Sequence, residues 1–97
     1  MAEHSFVILI AVPGGRELTE AETDALYEAG LDDAAVETGP LYTLADFDRE
    51  APSQGEAVES ACADIRKVPG LEPALLIERA ASIRPLGAHM PTPAEAP

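Results

Sequence analysis

Asp46, Asp48 and Glu50 stand at alternate positions in one stretch of the chain. On a strand, alternation puts Asp46 and Asp48 on one face, with Asp32 and Asp33 as further carboxylates that a fold could bring near. Oxygen clusters of this kind suit hard cations. A calcium loop, however, needs a set ligand spacing with a glycine at its turn, and that glycine is absent. The plainer expectation is that Asp48 or Glu50 pairs with Arg49, or caps the loop leading to Ser53, and that no metal is bound. Asp32-Asp33 as a general acid–base pair is disfavoured too, because adjacent carboxylates diverge in space and no His, Lys or Cys accompanies them. Serving the turn after Gly30 is their simpler role.

Cys62 lies on an apolar helical stripe. A nucleophilic cysteine needs an electropositive, partly open setting and commonly a histidine. His4 stands at the start of the chain and His89 near its end, so neither is placed beside it. Core packing is the expected role for Cys62, and one cysteine with two distant histidines makes a poor zinc site. Pro13-Gly14-Gly15-Arg16 sits at a strand-to-helix junction like an anion-binding loop. It lacks the glycine spacing and lysine of phosphate loops, and the acids that follow would oppose a phosphate. No residue set names a reaction or a cofactor, so the expectation is a non-enzyme.

The charge distribution says more. The chain has 97 residues and a net charge of −12. Fourteen acids in residues 1–60 face only Arg16 and Arg49, whereas residues 61–97 balance. Such a body repels nucleic acid and anionic membranes and attracts basic protein surfaces. The few Lys and Arg residues cannot neutralise a nucleic-acid backbone, and interleaved aromatics for base stacking are missing.

The elements that must position these residues follow from hydrophobic pattern and punctuation. Ser5–Val12 is a near-continuous apolar run that predicts a central strand buried on both faces or most of them. Pro13-Gly14-Gly15 ends it. Thr19 with Glu22 has capping-box spacing. Ala21, Ala25, Leu26 and Ala29 then mark the inner face of a helix, with Glu20, Glu22, Asp24 and Glu28 outside, and Gly30 stops it. Ala34–Glu37 and Leu41–Asp48 read as a hairpin about Thr38-Gly39-Pro40. Ser53 with Glu56 opens a second amphipathic helix carrying Ala57, Val58, Ala61, Cys62, Ile65 and Val68. Pro69-Gly70 ends that helix, and Ala74–Ile77 is a fourth strand, with Pro73 admissible only at its leading end or on an edge.

The order β-α-β-β-α-β predicts an α+β fold, the ferredoxin-like split βαβ sandwich, with two helices on one face of a four-stranded antiparallel sheet. Right-handed crossovers place the first and fourth strands centrally and the hairpin at one edge. Residues 1–79 form the single domain. Residues 80–97, with four prolines from Pro85 onward, are expected to be a mobile tail without regular structure. The absence of a signal sequence or a long apolar span, together with the lone cysteine, suggests a cytoplasmic protein.

The stretch 29–70 resembles an accessory domain that precedes a helix-turn-helix segment in small bacterial DNA-binding regulators. The matching pieces are Gly30-Leu31-Asp32-Asp33-Ala34, Asp46-Phe47-Asp48-Arg49-Glu50-Ala51, Ser53, Glu56-Ala57, Ser60-Ala61, Ala63-Asp64-Ile65 and Pro69-Gly70. After residue 80 the chain departs from that pattern, with Ala80-Ala81-Ser82-Ile83-Arg84-Pro85 in place of a DNA-reading helix. The resemblance implies the accessory domain without the reader: a dimerisation or partner-binding unit.

The expected function is binding of a basic protein partner, in the manner of an inhibitor or antitoxin, without direct contact to nucleic acid or membrane. The expected contact residues are Glu20, Asp24 and Glu28 of the first helix, Asp32 and Asp33 of the connector, and Tyr42, Leu44, Asp46 and Asp48 of the hairpin. The rival expectation is a homo-oligomeric sensor, a homodimer included, whose paired open sheet faces enclose a small ligand.

Overall fold

The computed structural model describes residues 2–79 and 82–85. Its elements are β1 (Ala2–Ala11), α1 (Glu20–Ala29), β2 (Ala34–Thr38), β3 (Thr43–Ala51), α2 (Gln54–Arg66), β4 (Glu72–Arg79) and β5 (Ser82–Pro85). Short 3-10 turns cover Pro13–Gly15 and Leu31–Asp33. The strands form one sheet in the order β2-β3-β1-β4-β5, and every neighbouring pair is antiparallel. The architecture is α+β, with two helices on one face of an antiparallel sheet. Among the described residues no helix is long and apolar enough to cross a membrane.

Three departures from the sequence reading bear on function. Regular structure does not stop at Arg79: the backbone of Ser82–Pro85 pairs with β4 through Leu75, Leu76 and Ile77. Pro85 stands at the strand's end, where a missing N–H is tolerated. The rest of the anticipated tail lies outside the described residues. Second, β3 runs on to Ala51, because Phe47, Arg49 and Ala51 continue the buried positions while Asp46, Asp48 and Glu50 continue the exposed ones. Third, β1 is not buried on both faces. Phe6, Ile8 and Ile10 are buried, while Val7 and Leu9 on the other face stay partly exposed.

The core fills the space between sheet and helices. Phe6, Ile8, Ile10, Ala45, Phe47 and Leu76 from the sheet meet Leu26, Leu31, Ala57, Val58, Ala61, Cys62 and Ile65. Phe6 and Phe47 are cross-strand partners whose rings stack at 5.0 Å and 14°. Each large side chain buried here contributes about 1.5–3 kcal/mol. Pro73 is fully buried opposite Ile10, where the β1–β4 register shifts.

Local chemistry fixes the ends. Thr19 Oγ1 accepts from the Glu22 N–H while the Glu22 carboxylate accepts from the Thr19 N–H, a complete capping box. Gly30 ends α1 at φ +130°, and a Cβ there would also strike the Asp64 carboxylate. Only glycine suits the position. Ser53 Oγ accepts from the Glu56 N–H at the start of α2. At the β2 edge the Tyr27 hydroxyl of α1 accepts from the Val36 N–H at 3.3 Å.

Candidate functional site

The side of the sheet away from the helices, uncovered among the described residues, is built from alternate residues of four strands, and the register lines them up in rungs. Leu44, Leu9 and Leu75 form one rung across β3, β1 and β4. Asp46, Val7 and Ile77 form the next, followed by Asp48 opposite Ser5 and Glu50 opposite Glu3. Successive rungs are two residues, about 6.8 Å, apart. The face therefore grades from apolar at the hairpin-turn end to acidic at the other. Glu37 and Ala35 of β2 flank it beside Leu44 and Asp46. Asp48 accepts a 2.5 Å hydrogen bond from the Ser5 hydroxyl. Glu3 and Glu50 are both exposed and directly opposite, and like charges so placed are destabilising.

Asp33 belongs elsewhere. Arg49, on the buried side of β3, donates from Nε and Nη2 to the two Asp33 oxygens at 2.7 and 3.0 Å. Its Nη2 also reaches the Gly30 carbonyl at 2.8 Å, and its Nη1 reaches Asp64 and Ser60 at 3.1 Å each. The guanidinium lies 5.1 Å from the Phe47 ring centroid. Lys67 completes the cluster by pairing with Asp64 at 2.9 Å. The paired carboxylates, Asp33 first, hold the Arg49 pKa above its ordinary value against the opposing effect of burial. This clasp ties β3, the connector and α2 together. Sequence reasoning gave Arg49 to Asp48 or Glu50, but on a strand those neighbours point to the opposite face from it.

The anticipated contact residues thus divide. Leu44, Asp46 and Asp48 share the open face. Glu20, Asp24 and Glu28 are exposed on α1, in the helix layer on the far side of the sheet, and Asp32 is exposed on the connector. One flat partner surface cannot cover both sets. Tyr42 belongs with the first set, since it and Leu41, exposed at 51% and 90%, stand at the turn where the apolar rungs end. Between that turn and the end of β1 lies a cleft of about 250 Å³, lined by Leu9, Ile10, Ala11, Val12, Gly15, Arg16, Leu41, Tyr42, Thr43 and Ala74. Sequence reading missed the cleft, along with the partial exposure of Val7, Leu9, Leu75 and Ile77. Their apolar character matches that of core residues, and only the pairing register separates the two faces.

The remaining candidates have structural settings. Cys62 is buried, and that burial pushes its thiol pKa up. Arg16 is held by both Glu22 oxygens at 2.7 and 2.9 Å. His4 is placed after all: it pairs opposite Arg49 in the β1–β3 register, with Nε2 3.2 Å from the Ala51 carbonyl oxygen. His89 lies outside the described residues. Among the described residues no group of three or more His, Cys, Asp or Glu side chains converges as a metal site. Comparison of the chain with protein-family models, with curated proteins and with solved structures returns no match.

Proposed function

We propose that this chain is a non-enzymatic binding module, a ferredoxin-like βαββαβ domain whose open sheet face takes up a basic surface of another protein. An inhibitor or antitoxin-like regulator of a nucleic-acid-binding partner is the form this reading takes, with carboxylates occupying a surface otherwise meant for phosphates. The observation that carries it is the graded face itself: Leu44, Leu9, Leu75, Val7 and Ile77 contiguous and partly exposed, bordered by Asp46, Asp48, Glu50 and Glu3. Contiguous apolar surface rimmed by polar groups marks interfaces, and complementary charge sets association rate and specificity. No basic side chain is described on this face. Two copies facing each other about an axis along the strands would oppose acid to acid, and about an axis across them would lay acid on apolar surface; neither supplies the counter-charge a basic partner does.

Two measurements test the reading. Light scattering on the purified chain is expected to give a monomer; a dimer dispersed by Leu9→Glu would overturn it in favour of the sensor. Titration of the isotope-labelled chain with a lysine-leucine amphipathic peptide should shift the amides of β1, β3 and β4, with binding weakening as salt rises. Shifts confined to Glu20, Asp24 and Glu28 would move the interface to the helix layer and refute the assignment of the face.

A further inference from the structure

The cleft at the apolar end of the open face has properties that select its occupant. Its volume of about 250 Å³ falls below the ~300 Å³ at which pockets for whole small molecules begin, and suits a single large side chain. Its cation is already paired, since both Nη atoms of Arg16 donate to the Glu22 carboxylate, and an acidic ligand would have to share the guanidinium with that carboxylate. Leu9, Ala11 and Ala74 make its other walls apolar. Tyr42, half-exposed, presents an aromatic surface beside it. Buried aromatic anchors in such pockets carry most of the energy of protein interfaces, while surrounding charges set register.

From Tyr42, Asp46 and Asp48 lie four and six residues further along the same chain. At strand rise that is about 13 and 20 Å. We infer that the cleft is an anchor pocket for one aromatic or large aliphatic side chain of a basic protein segment. That segment's Lys or Arg side chains fall on Asp46 and Asp48, about 13–20 Å away. The inference rests on the open-face reading and adds the occupant and its spacing. It also gives the acid-on-acid rung of Glu3 and Glu50 a counter-charge that no described side chain supplies on this face.

The chain contains no tryptophan, so a tryptophan on a probe reports its own burial. The probe is a capped lysine-rich peptide with a single Trp, compared with the same peptide carrying Ser in its place. The expected result is a blue shift of Trp emission on binding and at least tenfold tighter binding than the Ser peptide. Ala74→Arg fills the cleft and should abolish both differences; Tyr42→Ala, at an exposed position, provides the same test without a folding risk. Asp46→Asn with Asp48→Asn should weaken both peptides alike and leave the Trp/Ser ratio intact. Equal binding of the two peptides, or a blue shift that survives both Ala74→Arg and Tyr42→Ala, overturns the anchor pocket while the acidic face stands. Binding indifferent to the Asn pair, with the Trp effect retained, overturns the acidic face and leaves the pocket.

Discussion

Replacing Arg49 by alanine should be among the most destabilising single changes outside the apolar core. The guanidinium makes five hydrogen bonds, to Asp33, Asp64, Ser60 and the Gly30 carbonyl, from a side chain only 9% exposed. Breaking a buried pair from one side costs about 3–5 kcal/mol, because the partner charge is left uncompensated. Here the lower end applies. Asp33 is 31% exposed and regains water, and Asp64 keeps Lys67. A loss of about 3 kcal/mol is a large part of the roughly 5–10 kcal/mol available to a domain of this size. With a urea slope of roughly 1.5 kcal/mol per molar, the unfolding midpoint followed by circular dichroism should fall by about 2 M. Arg49→Lys should recover less than half, since an ammonium cannot match the planar fork. Arg49→Ala combined with Asp33→Ala should cost about 1–2 kcal/mol less than the sum of the two single changes. A single-variant loss under about 1 kcal/mol, or strict additivity in the double variant, would refute the clasp as a linker of β3, connector and α2.

Two further outcomes follow from the charge and thiol settings. The Arg16 hydrogen bonds and the Thr19 N–H hold the Glu22 carboxyl at about 2, below its ordinary value of 4.5. Being depressed in the folded state, it contributes stability above pH 4.5 that is lost as pH falls toward 2. A carbon-detected carboxyl titration should find this low value and see it rise in Arg16→Gln, with acid unfolding moving to higher pH; a Glu22 titration near 4.5 in the native chain counts against the pair. Burial of the Cys62 thiol predicts that a disulfide reagent at pH 8 modifies it only as fast as the chain opens, the rate rising with urea. Immediate stoichiometric modification would place it at the surface.

The fold was legible wherever a local signal has one meaning. Thr19 with Glu22, Gly30 and Ser53 marked element ends through hydrogen bonds formed within a few residues, and the caps stand at those residues. Strand lengths were harder to read. The end of β3 lay beneath Asp48-Arg49-Glu50, three charges in a row, where a buried arginine among exposed acids looks like a loop. Alternation did place Asp46 and Asp48 together on one face, but which apolar residues join them there was not legible. Leu9 and Ile8 are equivalent as letters, and only pairing with Leu44 and Leu75 directs one outward. Equally, Asp33 and Asp48 are both acids near a turn, yet one is bound to Arg49 and the other faces solvent. Such assignments depend on contacts between residues 15 or more positions apart.

The Tyr27 hydroxyl at the Val36 N–H has a bearing on how partners can be chosen. The outer rim of β2 is an edge at which any extended chain could add itself by backbone pairing, a mode of association blind to side-chain identity. A phenol from the helix layer already occupies that donor, so an incoming strand would have to expel it before pairing there. With that route obstructed, discrimination at this end of the sheet falls to side chains on the face, whose identities can distinguish one protein from another.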